Sequence, residues 1–169
     1  IYADAFVQQN SSGGERYPDV NRAITNAIEK GTLVFDYFGH GGEDGFAAER
    51  ILDVPQIQAL NNKNTLPLFI TITCDFSRFD NPNRITAGEL FFKSKTGGAA
   101  SMITTTREVF ISTGQRFNEE LIRILLAFNN EDYTIAEALM KTKNGFSSSQ
   151  KFFIYSFGDP AMKLAVPKP

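Results

Sequence analysis

Three short, almost continuously apolar segments constrain the fold of this chain more than any other feature of its sequence. They comprise residues 32–38, 66–73 and 99–105, and each has the length of a β-strand. Strands that are apolar on both sides are typical of parallel sheets whose two faces are covered by helices. The residues between them are spaced as in helices. We therefore predict an α/β fold, with a mostly parallel sheet flanked by helices.

Other segments complete the predicted order of elements. Pro18 is a favourable first residue for a helix, and Thr86 with Glu89 three positions later matches a capping box. The predicted helices are residues 18–30, 54–60, 86–95, 112–128 and 134–143, with further strands at 1–7 and within 152–166. The polar residues 8–17 indicate a loop. No internal repeat or linker divides the chain, so we predict a single domain over residues 1–169.

The composition excludes several classes of protein. The chain has 169 residues, of which 42% are hydrophobic and 16 are Phe, which is too apolar for a disordered protein. Its net charge of −2 argues against a strongly basic nucleic-acid binder. No apolar run approaches the roughly 20 residues of a membrane-spanning helix, so no transmembrane segment is predicted. A single Cys excludes an internal disulfide, and one Cys with one His argues against structural zinc.

The single His and the single Cys occupy equivalent positions after two of the apolar segments. His40 follows residues 32–38, and Cys74 follows residues 66–73. Neighbouring strands lie about 4.8 Å apart, and the carboxyl ends of parallel strands form the edge at which α/β sheets bind ligands. We therefore expect the imidazole and the thiol to face each other at this edge.

Such a pair has the chemistry of a nucleophile and its base. A thiolate attacks carbonyl groups, and a nearby imidazole can remove the thiol proton and later protonate a leaving amine. Acyl transfer also requires hydrogen-bond donors for the developing oxyanion. The glycine turn at Gly41 and Gly42 and the backbone N–H of Cys74 can supply these donors.

Other interpretations of the same residues stay open at this point. A lone Cys at a strand end can be a small core residue, and a lone His in a glycine turn can be structural or solvated. The glycine turn can also be compared with phosphate-binding loops. It lacks the Lys-Ser/Thr of a P-loop, and its third glycine, Gly45, comes one position too late for G-x-G-x-x-G. Nucleotide binding on such a sheet is therefore the least favoured hypothesis.

Four motifs, in order, resemble those of the gingipain-type cysteine peptidases, which belong to the caspase-like clan. They are residues 35–46 (FDYFGHGGEDGF), 71–74 (TITC), 97–107 (GGAASMITTTR) and 157–164 (FGDPAMKL). Each motif is weak alone, but together the four span nearly the whole chain. The Q-A-C-x-G signature of caspases proper is absent. The resemblance implies a caspase-like three-layer sandwich and cysteine peptidase activity.

The resemblance also assigns roles to individual residues. His40 matches the general base of the family and Cys74 its nucleophile, and Gly41 with the Cys74 N–H matches the oxyanion hole. The loop after the third apolar segment corresponds to one that shapes the substrate pocket in relatives. Arg107 and Glu108 of that loop, together with Asp75, are therefore candidate substrate-binding residues.

The third catalytic residue of the family, a carboxylate, has no counterpart in this sequence. The family contributes it from well upstream of the histidine, and only 39 residues precede His40 here. Asp36 lies about 13 Å back along an extended strand, too far to orient the imidazole. Glu43 is closer but is expected to be solvated. We therefore expect the chain to be the catalytic half of a larger protein and to have little activity in isolation.

Residues 1–6, 13–18 and 48–52 most resemble one branch of the family, the PorU-type sortases of the type IX secretion system. This resemblance implies removal of the C-terminal signal domain from secreted cargo and transfer of the acyl group to a lipopolysaccharide amine. It also implies a place among other secretion components of the outer membrane, at the surface of a Gram-negative bacterium. No cofactor is expected, and calcium only in a structural role. The alternative is a catalytically silent scaffold or binding module of the same fold.

Overall fold

The computed structural model describes residues 1–126 and 132–165. In this part of the chain the elements, in order, are β1 (Gln9–Ser11), β2 (Gly14–Arg16), α1 (Pro18–Lys30), β3 (Val34–Phe38), β4 (Gly41–Gly42), β5 (Gly45–Phe46), β6 (Leu52–Asp53), α2 (Val54–Ala59), β7 (Leu68–Ile72), α3 (Ala87–Phe92), β8 (Ser101–Thr105), α4 (Ile111–Leu125), α5 (Ile135–Asn144) and β9 (Ile154–Phe157).

A four-stranded sheet with the order β3-β7-β8-β9 forms the centre of the fold. β3, β7 and β8 are the three predicted apolar strands, and they pair in parallel. β9 runs antiparallel to β8, so the sheet is mixed but mostly parallel, as predicted. The register of the first pair places Phe38, the last residue of β3, opposite Ile72, the last residue of β7.

The two faces of the sheet carry separate hydrophobic cores. Because side chains alternate along a strand, Phe69 of β7 points to one face, and Ile70 and Ile72 point to the other. The first core contains buried residues of α1, α2 and α3, and the second contains buried residues of α4 and α5. The result is a three-layer arrangement of helices, sheet and helices.

The helices begin where the sequence predicts, and one ends earlier. Pro18 is the first residue of α1, and Thr86 and Glu89 form both hydrogen bonds of the predicted capping box of α3. α3 ends at Phe92 rather than at residue 95, and the chain then turns toward β8 at Gly98, whose φ of 102° disfavours other residues. The predicted helix at 112–128 corresponds to α4, and its last two residues lie outside the described residues.

Two predictions near the amino terminus are wrong. Residues 1–7 do not form a strand; a single 3-10 turn spans Ala3–Ala5 instead. The predicted loop at 8–17 contains the hairpin of β1 and β2, in which Ser11 pairs with Gly14. The hairpin strands are exposed and polar, so they lack the apolar alternation by which strands are recognised in a sequence.

A second small sheet, which the sequence does not predict, follows β3. Its strands β4, β5 and β6 pair antiparallel, and each has only two residues. Gly45 makes the packing of β5 against β6 possible, because a Cβ there would lie 2.0 Å from the Leu52 carbonyl oxygen. Among the described residues no helix is long and apolar enough to cross a membrane.

Candidate active site

His40 and Cys74 each lie two positions beyond the last paired residues of adjacent parallel strands. Phe38 of β3 is opposite Ile72 of β7, so the two strand ends from which His40 and Cys74 follow lie side by side at the carboxyl edge of the sheet. Ile72 packs into the second core, on the face covered by α4.

Contacts of α4 show that Phe38 and Ile72 lie side by side on this face. A Cβ on Gly114, in the first turn of α4, would lie 3.0 Å from Phe38 Cε2 and 3.2 Å from Ile72 Cγ2. The same point is 3.4 Å from Val109 Cγ1. The start of α4 therefore packs directly against the strand ends from which His40 and Cys74 follow.

Tyr37 fixes the main chain of His40. Its hydroxyl donates a hydrogen bond of 2.7 Å to the His40 carbonyl, which also accepts one of 2.8 Å from the Ala47 N–H. The Tyr37 ring stacks on Phe46 with ring centroids 4.0 Å apart. Burial, with a further contribution from the charge of Glu49, raises the pKa of Tyr37 to about 12, so the hydroxyl stays a donor at neutral pH.

Gly41 brings the histidine turn against the strand that leads to the cysteine. A Cβ on Gly41 would lie 2.5 Å from Oγ1 of Thr73, the residue before Cys74. The hydrogen bond from Ala47 to His40 makes Gly41 and Phe46 a non-hydrogen-bonded pair of the β4–β5 ladder. That hairpin therefore leaves the Gly41 N–H available for another acceptor.

The main chain around Cys74 is held by β8. The Thr105 hydroxyl donates to the Thr73 carbonyl at 2.6 Å, and the Ser77 N–H donates to the Thr105 carbonyl at 3.0 Å. Asp75 has a φ of 51°, an unusual conformation for a residue other than glycine, which turns the chain sharply after the cysteine. Cys74 itself is half-buried.

The side chains of His40 and Cys74 make no polar contact within the described residues. Within the described residues, neither the His40 ring nor the Cys74 thiol makes a hydrogen bond or an ion pair, and none joins the two directly. Hydrogen bonds of catalytic groups are often long without substrate and shorten when it binds. The positions of these two residues, just beyond the ends of adjacent parallel strands, are compatible with a thiol–imidazole pair.

Glu43 is not solvated, contrary to the expectation from the sequence. Only 17% of its side chain is exposed, and its carboxylate accepts two hydrogen bonds from Asn81 Nδ2. It also forms ion pairs with Arg78 at 3.6 Å and with Arg84 at 3.4 Å. These partners follow Cys74 in the chain, so Glu43 ties the loop of the histidine to the loop of the cysteine.

The predicted substrate-binding residues lie in one group of charges. Arg107 donates to both carboxylate oxygens of Asp80, which lowers the pKa of Asp80 and raises that of Arg107. Desolvation raises the pKa of Asp75, and the nearby charge of Glu108 raises it further, while that of Arg78 lowers it. The structure therefore brings Asp75 and Glu108 close enough for their charges to interact.

Asp36 is directed to α4 rather than to the histidine. Its carboxylate accepts a hydrogen bond of 2.9 Å from Asn118 Nδ2. Desolvation raises the pKa of Asp36, and the hydrogen bond from Asn118 partly offsets this. This contact agrees with the expectation that Asp36 does not orient the imidazole.

The comparisons with known proteins identify the family. The sequence model of peptidase family C25 matches residues 1–165. The chain belongs to peptidase family C25, the gingipain family. The resemblance seen in the four motifs is thereby confirmed. Comparison with curated protein sequences finds no match.

Solved structures confirm that this C25 chain has the gingipain fold. It is similar to the Arg-specific cysteine proteinase gingipain R, with a TM-score of 0.73, 19% identity, 85% of this chain covered and 36% of that chain. It is also similar to a chain in the complex of Porphyromonas gingivalis RgpB pro- and mature domains, with a TM-score of 0.71, 18% identity, and coverage of 85% and 37%. A third structure, described only as a protease, has a TM-score of 0.67, 16% identity, and coverage of 81% and 36%. The chain thus spans little more than a third of the length of these relatives.

A cavity beside the histidine lies within the small sheet of this C25 chain. It has a volume of about 390 Å³ and is lined by His40 and by residues of the β4–β6 segment, including Glu43 and Arg50. Among the described residues, no group of three or more His, Cys, Asp and Glu side chains is arranged to hold a metal ion.

The contacts of two residues of this C25 chain near His40, Tyr37 and Glu43, were not predicted from the sequence. Tyr37 lies two residues after Phe35 and so points to the same face of the strand. This alternation predicts that the Tyr37 ring packs on the core, but it does not predict the hydrogen bond of its hydroxyl. The role of Glu43 depends on partners about 40 positions away, and no local pattern shows such pairs. The signal available was its position three residues after the only His.

Proposed function

We propose that this chain is a cysteine peptidase module in which Cys74 is the nucleophile and His40 the general base. One observation carries the proposal: the parallel register of β3 and β7 places side by side the two strand ends from which the only His and the only Cys follow. Membership of peptidase family C25 supports it.

The proposed reaction begins with acylation. His40 removes the thiol proton, and the Cys74 sulfur attacks the carbonyl carbon of the scissile bond. The N–H groups of Gly41 and Cys74 stabilise the oxyanion that forms. The carbon–nitrogen bond then breaks, the imidazolium returns its proton to the leaving amine, and a thioester with Cys74 remains. Every group in these steps comes from this chain, so the proposal includes no cofactor and gives calcium at most a structural role.

The acyl-enzyme has two possible fates. Attack by water completes a hydrolysis, whereas attack by another amine completes a transpeptidation, and His40 serves as the base in both. We propose the second fate, as in PorU-type sortases, with a cargo protein that loses its C-terminal signal domain at the surface of a Gram-negative bacterium. Other outer-membrane components of the type IX secretion system are the proposed partners.

The proposed substrate contacts come from Asp75, Arg107 and Glu108. Arg107 is held by Asp80, so it acts through the shape of the pocket wall. Asp75 and Glu108 make no ion pair within the described residues, and their charges interact with each other. We expect them to favour a positively charged substrate residue near the scissile bond.

Labelling of Cys74 tests the peptidase proposal. The full-length protein is treated with a peptide that carries a thiol-reactive group, and the labelled residue is identified by mass spectrometry. We expect rapid labelling at Cys74 that is lost in Cys74→Ala and strongly slowed in His40→Ala. Equal labelling rates in wild type and His40→Ala, or no labelling, support the alternative of a silent scaffold or binding module of the same fold.

Product analysis separates the two fates of the acyl-enzyme. The full-length protein is incubated with a peptide substrate, with and without an added primary amine, and the products are identified by mass spectrometry. Transpeptidation predicts an amide product that grows with amine concentration at the expense of the acid. If only the acid forms at every amine concentration, the chain is a hydrolase and the sortase proposal is rejected.

A further inference from the structure

The loops that carry His40 and Cys74 are joined by one carboxylate. Glu43 lies three residues after His40, and its carboxylate oxygens accept hydrogen bonds of 2.9 and 3.1 Å from Asn81 Nδ2. Arg78 and Arg84 add ion pairs of 3.6 and 3.4 Å. All three partners belong to the segment that follows Cys74. We call this group, Glu43 with Arg78, Asn81 and Arg84, the loop clamp.

The main chain of Glu43 adds a second anchor. Its carbonyl accepts a hydrogen bond of 2.7 Å from the N–H of Ala87, the first residue of α3. α3 is itself held at this end by the capping box of Thr86 and Glu89. Glu43 is therefore fixed by its side chain to the cysteine loop and by its backbone to a rigid helix end.

The Glu43 carboxylate is the buried end of the ion pairs in the loop clamp. Only 17% of the Glu43 side chain is exposed, against 43% for Arg78 and 41% for Arg84, so water screens these contacts less than those of a pair exposed at both ends. Arg78 Nε is buried and has no hydrogen-bond partner in the described part of the chain, and Glu43 provides the one ion pair of that guanidinium there. Removal of the carboxylate would leave Arg78 without that ion pair.

We propose that Glu43 is the positioning residue that holds the imidazole of His40 at reacting distance from the thiol of Cys74. This inference rests on the proposed function. Glu43 does not act as the family's third catalytic carboxylate, because its oxygens are engaged by Asn81, Arg78 and Arg84. It acts instead through the geometry of the two loops, since a misplacement of about 1 Å between reacting groups can cost about 100-fold in rate.

Alkylation kinetics in the full-length protein test the loop clamp. The variants are Glu43→Gln, which keeps the size of the side chain and removes its charge, and a matched control, Asp44→Asn. Asp44 is the next residue, is exposed, and contacts only Arg84 of the clamp. We expect Glu43→Gln to slow alkylation of Cys74 by about 10- to 100-fold, and Asp44→Asn to leave it unchanged.

A double-mutant cycle with His40→Ala distinguishes positioning from a general structural role. If Glu43 acts through His40, Glu43→Gln has no further effect on alkylation once the imidazole is absent. With a peptide substrate, kcat falls while KM changes little. A merely structural role predicts additive effects in the cycle and a parallel fall in the thermal midpoint.

Three outcomes test the positioning role of Glu43. An unchanged rate in Glu43→Gln, or additivity with His40→Ala, overturns the positioning role and leaves the proposed function intact. An absence of any His40 effect on alkylation of the wild type overturns the proposed function and the positioning role with it. If Glu43→Gln does not fold, Asn81→Ala replaces it, because, among the contacts of Glu43, this variant removes only the two amide hydrogen bonds. An unchanged rate of Cys74 alkylation in Asn81→Ala also overturns the positioning role of Glu43.

Discussion

Two adjacent glycines after His40 differ sharply in the space around them. A Cβ at Gly41 would lie 2.5 Å from Thr73 Oγ1, 3.0 Å from the Gly45 carbonyl oxygen and 3.1 Å from Thr73 Cγ2. A Cβ at Gly42 would meet no atom within 4 Å. Neither glycine has a positive φ, so backbone strain does not separate them. We predict that Gly41→Ala is damaging and that Gly42→Ala is neutral.

The magnitude follows from how little the neighbours of Gly41 can move. Thr73 is buried and β-branched, so its side chain has few alternative rotamers. The carbonyl of Gly45 is part of the β4–β5 hairpin and is equally constrained. Overpacking at such a position costs about 1–3 kcal/mol of unfolding free energy. In a chain of 169 residues, each kcal/mol lowers the thermal midpoint by about 2–4 °C.

The loss of activity in Gly41→Ala should be larger than its loss of stability alone would explain. The added methyl group pushes the Gly41 N–H away from its proposed place in the oxyanion hole, and loss of one such donor costs about 100- to 1,000-fold in kcat. The assays are thermal denaturation and peptide hydrolysis in the full-length protein, with Gly42→Ala as the matched control.

A second-site variant tests the steric reasoning directly. Thr73→Ala removes two of the three atoms that the new methyl group meets and leaves the Gly45 carbonyl oxygen at 3.0 Å, and Thr73 Oγ1 has no hydrogen-bond partner among the described residues. The double variant with Gly41→Ala should therefore recover part of the lost stability. Equal midpoints for Gly41→Ala and Gly42→Ala, or no recovery in the double variant, would refute the packing argument.

Three further substitutions test the electrostatics of the site. Asp36→Asn should raise the free energy of unfolding at neutral pH but not below about pH 4. Desolvation raises the pKa of Asp36 in the folded state, so folding favours the protonated carboxyl. The contribution of Asp36 to stability is therefore complete at low pH and is lost as the pH rises and the buried carboxyl must ionise. Denaturant titrations at several pH values measure this, and a gain at low pH would contradict it. Tyr37→Phe removes the donor to the His40 carbonyl; kcat should fall, and absorbance at 295 nm should lose its tyrosine transition near pH 12. Asp80→Asn should leave the thermal midpoint unchanged, because the ion pair of Asp80 with Arg107 is exposed. A large fall in the midpoint would contradict this prediction.

The central sheet was predictable because its signal is local. Strands buried on both faces are mostly apolar, and every residue of β7 and β8 is buried, although β7 includes Thr71 and β8 includes Ser101 and two threonines. The adjacency of the strand ends that precede His40 and Cys74 was predictable for a related reason. Once two adjacent strands are known to be parallel, equal positions after their ends lie together at one edge.

The remaining features depend on contacts between distant residues. β4, β5 and β6 have two residues each, too few for any periodic pattern. The loop clamp joins Glu43 to Asn81, and the contact of Gly41 with Thr73 is equally remote in the chain. Such pairs become visible only when the strands have been brought together. From the sequence alone, a charged residue in a glycine-rich turn is therefore expected to be solvated, although Glu43 is bound by Asn81 and two arginines.

Direct isolation of the acyl-enzyme tests the central claim, that Cys74 and His40 form a reactive pair. The full-length protein is mixed with a peptide ester, quenched with acid within one turnover, digested and mapped by mass spectrometry. The account predicts that the acyl mass appears on the peptide containing Cys74, and that it accumulates much more slowly in His40→Ala. Product formation with the acyl group on another residue, or with no adduct and no dependence on His40, would contradict the account.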